Sequence, residues 1–425
     1  MRALRIIAGP TNEALTAGLS LPALRKEWER NMGKVGSRAR HWCTRCTRGL
    51  AFSLLLAGNC SRQTRENARE MRALGPLTSP TRSHAAEAAD SALPPPVPAV
   101  GEGPQQVDFQ DVAMGTTVQL VAFTDERVDV SQVRRAMSAA FDEIKRLEAL
   151  LSEWRDDSEV GQINLKPAQW VRVGPETFAV ISRGLEAGSV SHGAFDITFQ
   201  AMRNVWKFGS AAEADPKPPS ATEVEQARRF VDFRRVELDA KARAVRIPKG
   251  YQLGLGGIAK GYVVDRAAEI LKRASIKAFL VQAGGDLYGA GRKPDGSPWI
   301  AGIQDPRAPH GEFFATIELT DHAFSTAGDY ARSYVTGGRR YHHIIDPHTG
   351  YPASASRSVT VWADDATTAD GIDDAVFILG PERGLELAQA TPGVGVVIVD
   401  KNNKIWLSPR LTGQVHVSRQ PTDGI

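Results

Sequence analysis

The chain has 425 residues, of which 42% are hydrophobic, and this is enough apolar surface for one large or two ordinary domains with a sizeable core. Its formal net charge is only +3, so a nucleic-acid partner is not expected. All three cysteines, Cys43, Cys46 and Cys60, lie in the N-terminal part, so the rest of the chain can hold neither a disulfide nor a thiolate metal site. We interpret the Cys43–Cys46 pair as incidental, because no second pair accompanies it.

The N-terminal segment, residues 1–60, has the layout of a bacterial export signal. Arginines precede a short apolar run at residues 50–58, which is too short to cross a bilayer as a mature helix. The run ends in Ala57-Gly58-Asn59-Cys60, which resembles a lipobox and makes Cys60 the predicted lipidation site. Met32 is an alternative start that would give a signal of conventional length. We therefore expect an exported lipoprotein, held at the inner membrane by a lipid anchor and facing the bacterial periplasm.

The next segment, residues 61–105, has the composition of a linker. It is rich in Arg, Ala, Ser and Pro and ends in Leu93-Pro94-Pro95-Pro96-Val97-Pro98. This composition predicts a disordered chain with a semi-rigid polyproline end, which would hold a globular body away from a membrane. We place that body at residues 106–415 and a short tail at residues 416–425.

Within the body, hydrophobic spacing predicts a mixture of strands and helices. Residues 107–123 alternate and are rich in Val, which predicts one strand. Apolar residues then recur at intervals of three and four from Val133 to Leu151, which predicts an amphipathic helix. A second helix is expected near residues 178–187. Further strands are expected at residues 236–238 and 244–247, which would form a hairpin, and at residues 278–281, 358–362, 394–399 and 404–407. Because strands and helices do not alternate strictly, the pattern favours an α+β fold over a doubly wound sheet.

Two polar stretches carry side chains with more than one possible role. Trp154 follows the first long helix in a polar turn, where it could be a stacking platform for a ligand or, more commonly for a lone Trp, an anchor in the core. Three of the nine histidines, His342, His343 and His348, lie close together. A histidine is more often structural than catalytic, so this clustering alone does not define a site.

A glycine-rich stretch at residues 252–262 opens a predicted helix that runs to Arg273. Backbone amides at such a helix start can cradle a phosphate group, and Lys260 adds positive charge. The stretch does not match the P-loop spacing, because Lys260 is not followed by Ser or Thr. A glycine-rich loop alone is a weak signal for a ligand site.

Residues 366–380 predict another helix, capped by Thr367 or Thr368 and ended by Gly380-Pro381. Asp370 and Asp374 would stand about one turn apart on one face, where two like charges repel unless a cation lies between them. Such oxygen ligands favour Mg²⁺ or Ca²⁺ over Zn²⁺. The alternative is an acidic first turn that complements the helix dipole, and this stretch alone favours that alternative.

Eight stretches of the body together are more specific than any one of them. They are Met114-Gly115-Thr116, Ser152 to Asn164, Gly193 to Asp196, Leu255 to Tyr262, Gly284-Gly285-Asp286, Ser325 to Tyr330, His343 to Gly350 and Ala366 to Gly380. In this order they resemble the ApbE family, the FAD:protein FMN transferases, over nearly all of residues 107–410. The Gly-Gly-Ile-Ala-Lys-Gly and His-Ile-Ile-Asp-Pro-x-Thr-Gly stretches carry most of the resemblance.

The resemblance implies an enzyme that binds FAD and Mg²⁺, transfers the FMN half onto a Thr or Ser hydroxyl of a target flavoprotein, and releases AMP. By position it implies FAD contacts at Met114, Trp154, Ala194, Phe195, Asp196, Lys260 and Ile345. It implies metal positions at Gly257, Asp370, Asp373 and Asp374, and His343 as the base that takes the acceptor proton. Two positions depart from the family: Gly254 replaces the usual Asp that contacts FAD, and Asp374 replaces the usual Thr.

Two other functions are consistent with parts of this pattern. One is a flavin-binding lipoprotein or FAD pyrophosphatase, which cleaves FAD without a protein acceptor. The other is a redox flavoprotein that keeps its flavin, and this is disfavoured because the sequence has no GxGxxG start of a Rossmann fold.

Overall fold

The computed structural model describes residues 103–208 and 217–425. The predicted signal with Met32 and Cys60, and all but the last residues of the predicted linker, therefore lie outside the described residues. The helices of the described part are α1 (Val130–Leu151), α2 (Glu159–Leu165), α3 (Pro175–Val190), α4 (Ala221–Arg228), α5 (Ala259–Arg273) and α6 (Ala366–Ala390). None of these helices has both the length and the apolar character needed to cross a membrane.

Half of the strands of the described residues belong to one antiparallel sheet. The strands are β1 (Gln106–Ala113), β2 (Thr116–Phe123), β3 (Val171–Arg172), β4 (Glu237–Asp239), β5 (Ala244–Arg246), β6 (Phe279–Ala283), β7 (Asp286–Ala290), β8 (Trp299–Gln304), β9 (Phe313–Leu319), β10 (His322–Gly328), β11 (Ser333–Thr336), β12 (Arg339–His342), β13 (Ser356–Ala363), β14 (Gly395–Asp400), β15 (Ile405–Leu407) and β16 (Val415–Val417). The main sheet has eight strands in the order β1-β2-β6-β7-β10-β13-β14-β15. Smaller sheets are β16-β9-β8, β3-β5-β4 and β11-β12. The α+β prediction is confirmed.

The main sheet separates two hydrophobic cores. Because side chains alternate along a strand, Leu120 and Val281 face helices α1, α5 and α6, whereas their neighbours Val121 and Leu280 face the sheet β16-β9-β8. Phe314 of β9 is fully buried in the second core. The central strands are buried on both faces, and a slip of one residue would move every side chain of a strand into the other core. The packing of the two cores therefore fixes the register of these strands.

The segment at residues 107–123 forms a hairpin, so the prediction of a single strand was wrong. Ala113 pairs with Thr116, which leaves Met114 and Gly115 as the turn, and both have positive φ, 54° and 67°. Two positive φ values are required by the type I′ turn that suits a two-residue hairpin. The Met114 amide donates to Glu148 Oε1 on α1 over 2.6 Å, which stabilises a turn that lacks the usual Asn or Asp.

Helix α6 begins and breaks differently from the sequence prediction. Asp365, not Thr367 or Thr368, is the N-cap, and its Oδ1 accepts the Thr368 amide over 2.7 Å. At Gly380 the backbone leaves the helical region, with φ 74°, as the Gly380-Pro381 pair predicted. A second helical stretch nevertheless follows to Ala390, because proline is well suited to the first position of a new helix.

The C-terminal residues are bound to the body. The predicted boundary after residue 415 falls inside β16, which pairs with β9. Farther along, the amide and hydroxyl of Thr422 both donate to Asp305 Oδ2 over 2.9 Å. Asp423 accepts from Arg357 over 3.0 Å. These contacts hold residues 416–425 against the end of β8 and against β13.

Candidate active site

The glycine-rich turn before α5 is held by hydrogen bonds from two other segments. The Asn164 side chain accepts from the Leu253 amide over 2.7 Å and donates to the Leu253 carbonyl over 2.9 Å. The Gly254 amide donates to the Ile197 carbonyl over 2.8 Å. These bonds fix the chain just before Leu255-Gly256-Gly257, so the turn enters α5 in a defined position.

Helices α5 and α6 cross in close contact, and the crossing requires a glycine. A Cβ placed on Gly261 would lie 2.1 Å from the carbonyl oxygen of Ala366, so only glycine fits there. The Gly261 amide donates to Asp370 Oδ2 over 2.9 Å. On the other side of the crossing, Asp265 accepts the amides of Ala366 and Thr367, each over 2.8 Å. The start of α6 is thereby fixed against the start of α5, with Asp370 facing Lys260.

Three buried carboxylates meet beside this crossing. Asp286 at the start of β7 and Asp370 and Asp373 of α6 each place an oxygen within 4.8 Å of the others. The Lys260 ammonium lies 2.8 Å from Asp286 and 3.1 Å from Asp370. The Ser325 hydroxyl lies 2.5 Å from Asp286 Oδ1 and 2.6 Å from Asp373 Oδ2. We call Asp286, Asp370 and Asp373 the carboxylate centre.

The electrostatics of the carboxylate centre favour a cation. Burial, followed by the charge of Asp286, raises the pKa of Asp370 to about 7, although Lys260 opposes this. Burial and the neighbouring Asp374 and Asp370 raise the pKa of Asp373 well above its usual range. Burial opposes the charged form of Lys260, yet Asp286 and Asp370 outweigh it and hold its pKa well above the ordinary value. The Lys260 ammonium therefore balances only part of the negative charge that the three carboxylates carry when they are ionised. The remaining negative charge favours a bound cation.

Asp374 and Gly257 lie together at the edge of the centre. A Cβ on Gly257 would lie 3.3 Å from Asp374 Oδ2, so the glycine-rich turn passes directly beside this carboxylate. Burial raises the pKa of Asp374 to about 6. The four positions expected to hold a metal therefore occur in one region. Asp286 was not among the metal positions predicted from the sequence, although Gly284-Gly285-Asp286 is one of the eight stretches that carry the family resemblance.

Of the three clustered histidines, His343 has the ring environment of a proton acceptor. Its Nδ1 is buried without a hydrogen-bond partner among the described residues, and its backbone amide donates to the Arg332 carbonyl over 3.1 Å. Burial, followed by the positive charges of Arg332, His342 and Lys260, lowers the pKa of His343 to about 3. The imidazole is therefore neutral at neutral pH, and no group of the described residues forms a hydrogen bond with its Nδ1.

The neighbouring histidines have structural contacts. His342 Nε2 lies 2.8 Å from the Ala353 carbonyl and its Nδ1 accepts the Ile344 amide over 3.3 Å. His348 is exposed and lies 3.2 Å from Asp346 Oδ1. Asp346 thus contacts the exposed His348.

The residues expected to contact FAD are spread around the turn. Phe195 packs on the glycine-rich turn, since its ring lies 3.0 Å from where a Gly257 Cβ would be. Asp196 is buried and already accepts the Thr198 amide over 2.7 Å and the Phe233 amide over 2.8 Å, so its carboxylate holds the local backbone. Ala194 is buried in the main core, and Ile345 packs in a third apolar cluster with Met202, Trp206 and Val224.

Trp154 is not a core anchor. Its side chain is 67% exposed, and the guanidinium of Arg203 lies 4.3 Å from its ring centroid. The interpretation of Trp154 as a core anchor was therefore wrong. Its exposed ring is consistent with the other interpretation, a stacking platform for a ligand. Trp154 follows Glu153, whose Oε1 lies 3.7 Å from where a Cβ on Gly256 of the glycine-rich turn would be.

The state of His343 gives a testable pH dependence of stability. The unfolded chain protonates this residue near its ordinary pKa of 6.5, whereas the folded chain does so only near 3. Between these values the unfolded state holds more protons, so the free energy of unfolding falls as the pH falls. Relative to His343→Gln, we expect the free energy of unfolding of the wild type to fall by about 3 kcal/mol between pH 7 and pH 4. Urea unfolding at a series of pH values measures this, and parallel curves for the two proteins would contradict the buried neutral imidazole.

The fold and the site together define an α+β protein in which a glycine-rich turn, a lysine and a carboxylate centre meet at a helix crossing. The sequence profile of the ApbE family matches residues 114–398. The chain is 30% identical over 313 residues to a FAD:protein FMN transferase of Vibrio cholerae, which spans 72% of this chain and 91% of the relative. It is 29% identical to a FAD:protein FMN transferase of Treponema pallidum, over 72% of this chain and 88% of that one.

Solved structures agree with these sequence relatives. The crystal structure of the ApbE protein of Thermotoga maritima superimposes with a TM-score of 0.66 at 34% identity, covering 73% of this chain and 99% of that chain. The flavin transferase ApbE of Vibrio cholerae gives a TM-score of 0.64 at 28% identity, with the same coverage. The chain belongs to the ApbE family, as its sequence motifs predicted.

Proposed function

We propose that this protein transfers the FMN moiety of FAD to a Thr or Ser hydroxyl of a target protein in an Mg²⁺-dependent reaction that releases AMP. The observation that carries the proposal is the carboxylate centre with Lys260 beside it, close enough to His343 for the lysine charge to lower the imidazole pKa. Family membership supports it, because curated relatives carry the name FAD:protein FMN transferase.

The donor set fits Mg²⁺. Three buried carboxylates and a serine hydroxyl are hard oxygen ligands, and the raised pKa of Asp370 and Asp373 shows the cost of crowding them without a divalent cation. Asp286, Asp370 and Asp373 would hold the ion, with Asp374 and the Gly257 carbonyl at its edge. When bound, Mg²⁺ would neutralise charge on the pyrophosphate oxygens and ease departure of AMP.

In the proposed reaction the acceptor hydroxyl oxygen forms a bond to the phosphorus of the FMN half, and the bond from that phosphorus to the AMP phosphate oxygen breaks. His343 takes the proton of the hydroxyl at a ring nitrogen, which is free because the imidazole is neutral. The phosphates of FAD would raise the imidazole pKa toward the working range, since a nearby negative charge favours the protonated form. Lys260 and the amides of the glycine-rich turn add positive potential for the phosphate oxygens.

The flavin nucleotide would lie along the glycine-rich turn. Trp154 offers an exposed aromatic face, and the buried Phe195 packs on the turn itself and supports it from within the core. Lys260, Met114, Ala194 and Ile345 remain proposed FAD contacts by family position. Asp196 would act by holding the backbone of this segment, because its carboxylate is occupied by amides.

We further propose export to the periplasm with lipidation at Cys60. The support is the arginine-led apolar run that ends at this cysteine. The linker at residues 61–105 would then let the enzyme reach acceptor proteins above the membrane surface.

Incubation of the purified protein with FAD, Mg²⁺ and a periplasmic acceptor domain tests the function. Covalent flavin fluorescence on the acceptor in a denaturing gel is the expected result, together with AMP in solution. Conversion of FAD to FMN and AMP with no labelled acceptor would contradict the transferase and favour the pyrophosphatase instead.

Asp374 should set the strength and selectivity of metal binding. Asp374→Thr removes one negative charge beside the centre, and we expect Mg²⁺ affinity to fall about tenfold, or ~1.4 kcal/mol. Calorimetric titration of Mg²⁺, Mn²⁺ and Ca²⁺ into both proteins measures the change. The exposed Asp157→Thr is a control that should bind all three ions like the wild type. Equal affinities for wild type and Asp374→Thr would exclude Asp374 from the metal site.

A further inference from the structure

Gln200 buries a hydrogen-bond donor that no group in the described part of the chain satisfies. It lies in the 3-10 turn Phe199–Met202 and is only 4% exposed, yet its Nε2 has no hydrogen-bond partner among the described residues. A buried amide without a partner costs about 1–3 kcal/mol, so a donor that persists in this state calls for a physical reason, such as a bound ligand, ion or water. The fold therefore keeps an unpaired donor next to the glycine-rich turn.

The amide of Gln200 occupies the space that a side chain at residue 254 would need. A Cβ on Gly254 would lie 3.1 Å from both Cβ and Oε1 of Gln200 and 3.4 Å from its Cδ. The two 3.1 Å distances are tighter than ordinary van der Waals contact, so the side chains of the two positions compete for one volume. In this chain Gln200 fills it and residue 254 has no side chain.

The surroundings place this amide between two segments that approach the glycine-rich turn. The carbonyl of Gln200 accepts the amide of Arg203 over 3.1 Å, and the Arg203 guanidinium lies over the Trp154 ring. On the other side, Gly254 is tied to Ile197 and leads into the turn on which Phe195 packs. A nucleotide lying along the turn would therefore pass next to Gln200.

We propose that Gln200 is a nucleotide-binding residue that donates a hydrogen bond from Nε2 to an acceptor atom of the bound flavin nucleotide. This inference rests on the proposed function, because it takes FAD as the ligand. The group is a neutral donor, so it selects a carbonyl oxygen, a ring nitrogen or a phosphate oxygen rather than an N–H group at that point of the ligand. It supplies a polar contact at the place where Gly254 offers none.

Gln200→Met tests the proposal, because methionine keeps the length of the side chain and removes the amide. Titration of FAD in the presence of Mg²⁺, followed by flavin fluorescence, should show a dissociation constant about tenfold higher than in the wild type. Without nucleotide, the thermal unfolding midpoint should stay the same or rise, because an unpartnered buried amide has been removed. If Gln200 were purely structural, Gln200→Met would lower the unfolding midpoint and leave the FAD dissociation constant unchanged.

Gln304→Met is a matched control. Gln304 is also 4% exposed, but its amide is satisfied by the carbonyls of Asp305 and Pro309 and by the Gly311 amide. This variant should lower the unfolding midpoint and leave FAD affinity unchanged.

The outcomes separate the inference from the proposed function. An FAD dissociation constant within twofold of the wild type in Gln200→Met, or a lowered unfolding midpoint with unchanged affinity, would overturn the role of Gln200. FAD binding that weakens as expected, in a wild-type protein that labels no acceptor, would overturn the transfer reaction and leave the Gln200 contact standing. Absence of FAD binding to the wild type would overturn both.

Discussion

Replacing His343 by alanine should abolish FMN transfer while FAD still binds. Burial and the charges of Arg332 and Lys260 hold the imidazole neutral at neutral pH, and the phosphates of bound FAD would raise its pKa so that it can take the acceptor proton. A positioned base contributes about 10²–10⁴-fold to such a step, so labelling of an acceptor protein should fall by at least about 100-fold. Timed gel assays of covalent flavin measure the rate, and an FAD titration measures the binding.

Two further variants make this result specific. His348→Ala changes an exposed histidine of the same segment and should label the acceptor at the wild-type rate. His343→Gln keeps most of the volume and removes the proton acceptor, so it should be as inactive as His343→Ala if the loss is chemical. Labelling by either His343 variant at the wild-type rate would remove His343 from the mechanism.

The sequence predicted the long elements of this fold because their signals are local. The apolar spacing from Val133 to Leu151 defines α1, and the glycine-rich stretch marks the start of α5. The hairpin turn at Met114 was missed, because Met-Gly lacks the side-chain chemistry that usually marks a type I′ turn, and its stability comes from Glu148 on a later helix. Likewise, Asp265 helps to cap α6 from another helix, which no local pattern can reveal.

The site shows the same division between local and long-range information. Helical spacing placed Asp370 and Asp374 on one face, and family position added Asp373. Asp286 joins the centre only because β7 begins beside the α5–α6 crossing, and Ser325 bridges it to Asp373 from a neighbouring strand. Gln200 gave no sequence signal at all, because an unpaired donor is a property of the packed structure.

Removing the Asp370 carboxylate should abolish FMN transfer, as removing the His343 imidazole should. Asp370→Asn keeps the shape of the side chain and an oxygen for the Gly261 amide, but it removes one charge from the carboxylate centre. We expect the metal response and the transfer activity to be lost together, with activity down at least about 100-fold.

Thermal unfolding separates this effect from misfolding. The wild type should unfold at a higher temperature as Mg²⁺ is added, because an ion that binds only the folded state stabilises it by mass action. Asp370→Asn should show no such rise. Without Mg²⁺ and above pH 7 it should be at least as stable as the wild type, because burial and Asp286 make the ionised Asp370 costly there. Asp365→Asn, a change at the N-cap of the same helix, should lower stability slightly and keep the full response to Mg²⁺. A wild-type Mg²⁺ response in Asp370→Asn would show that Asp370 serves the helix crossing and is not a metal ligand.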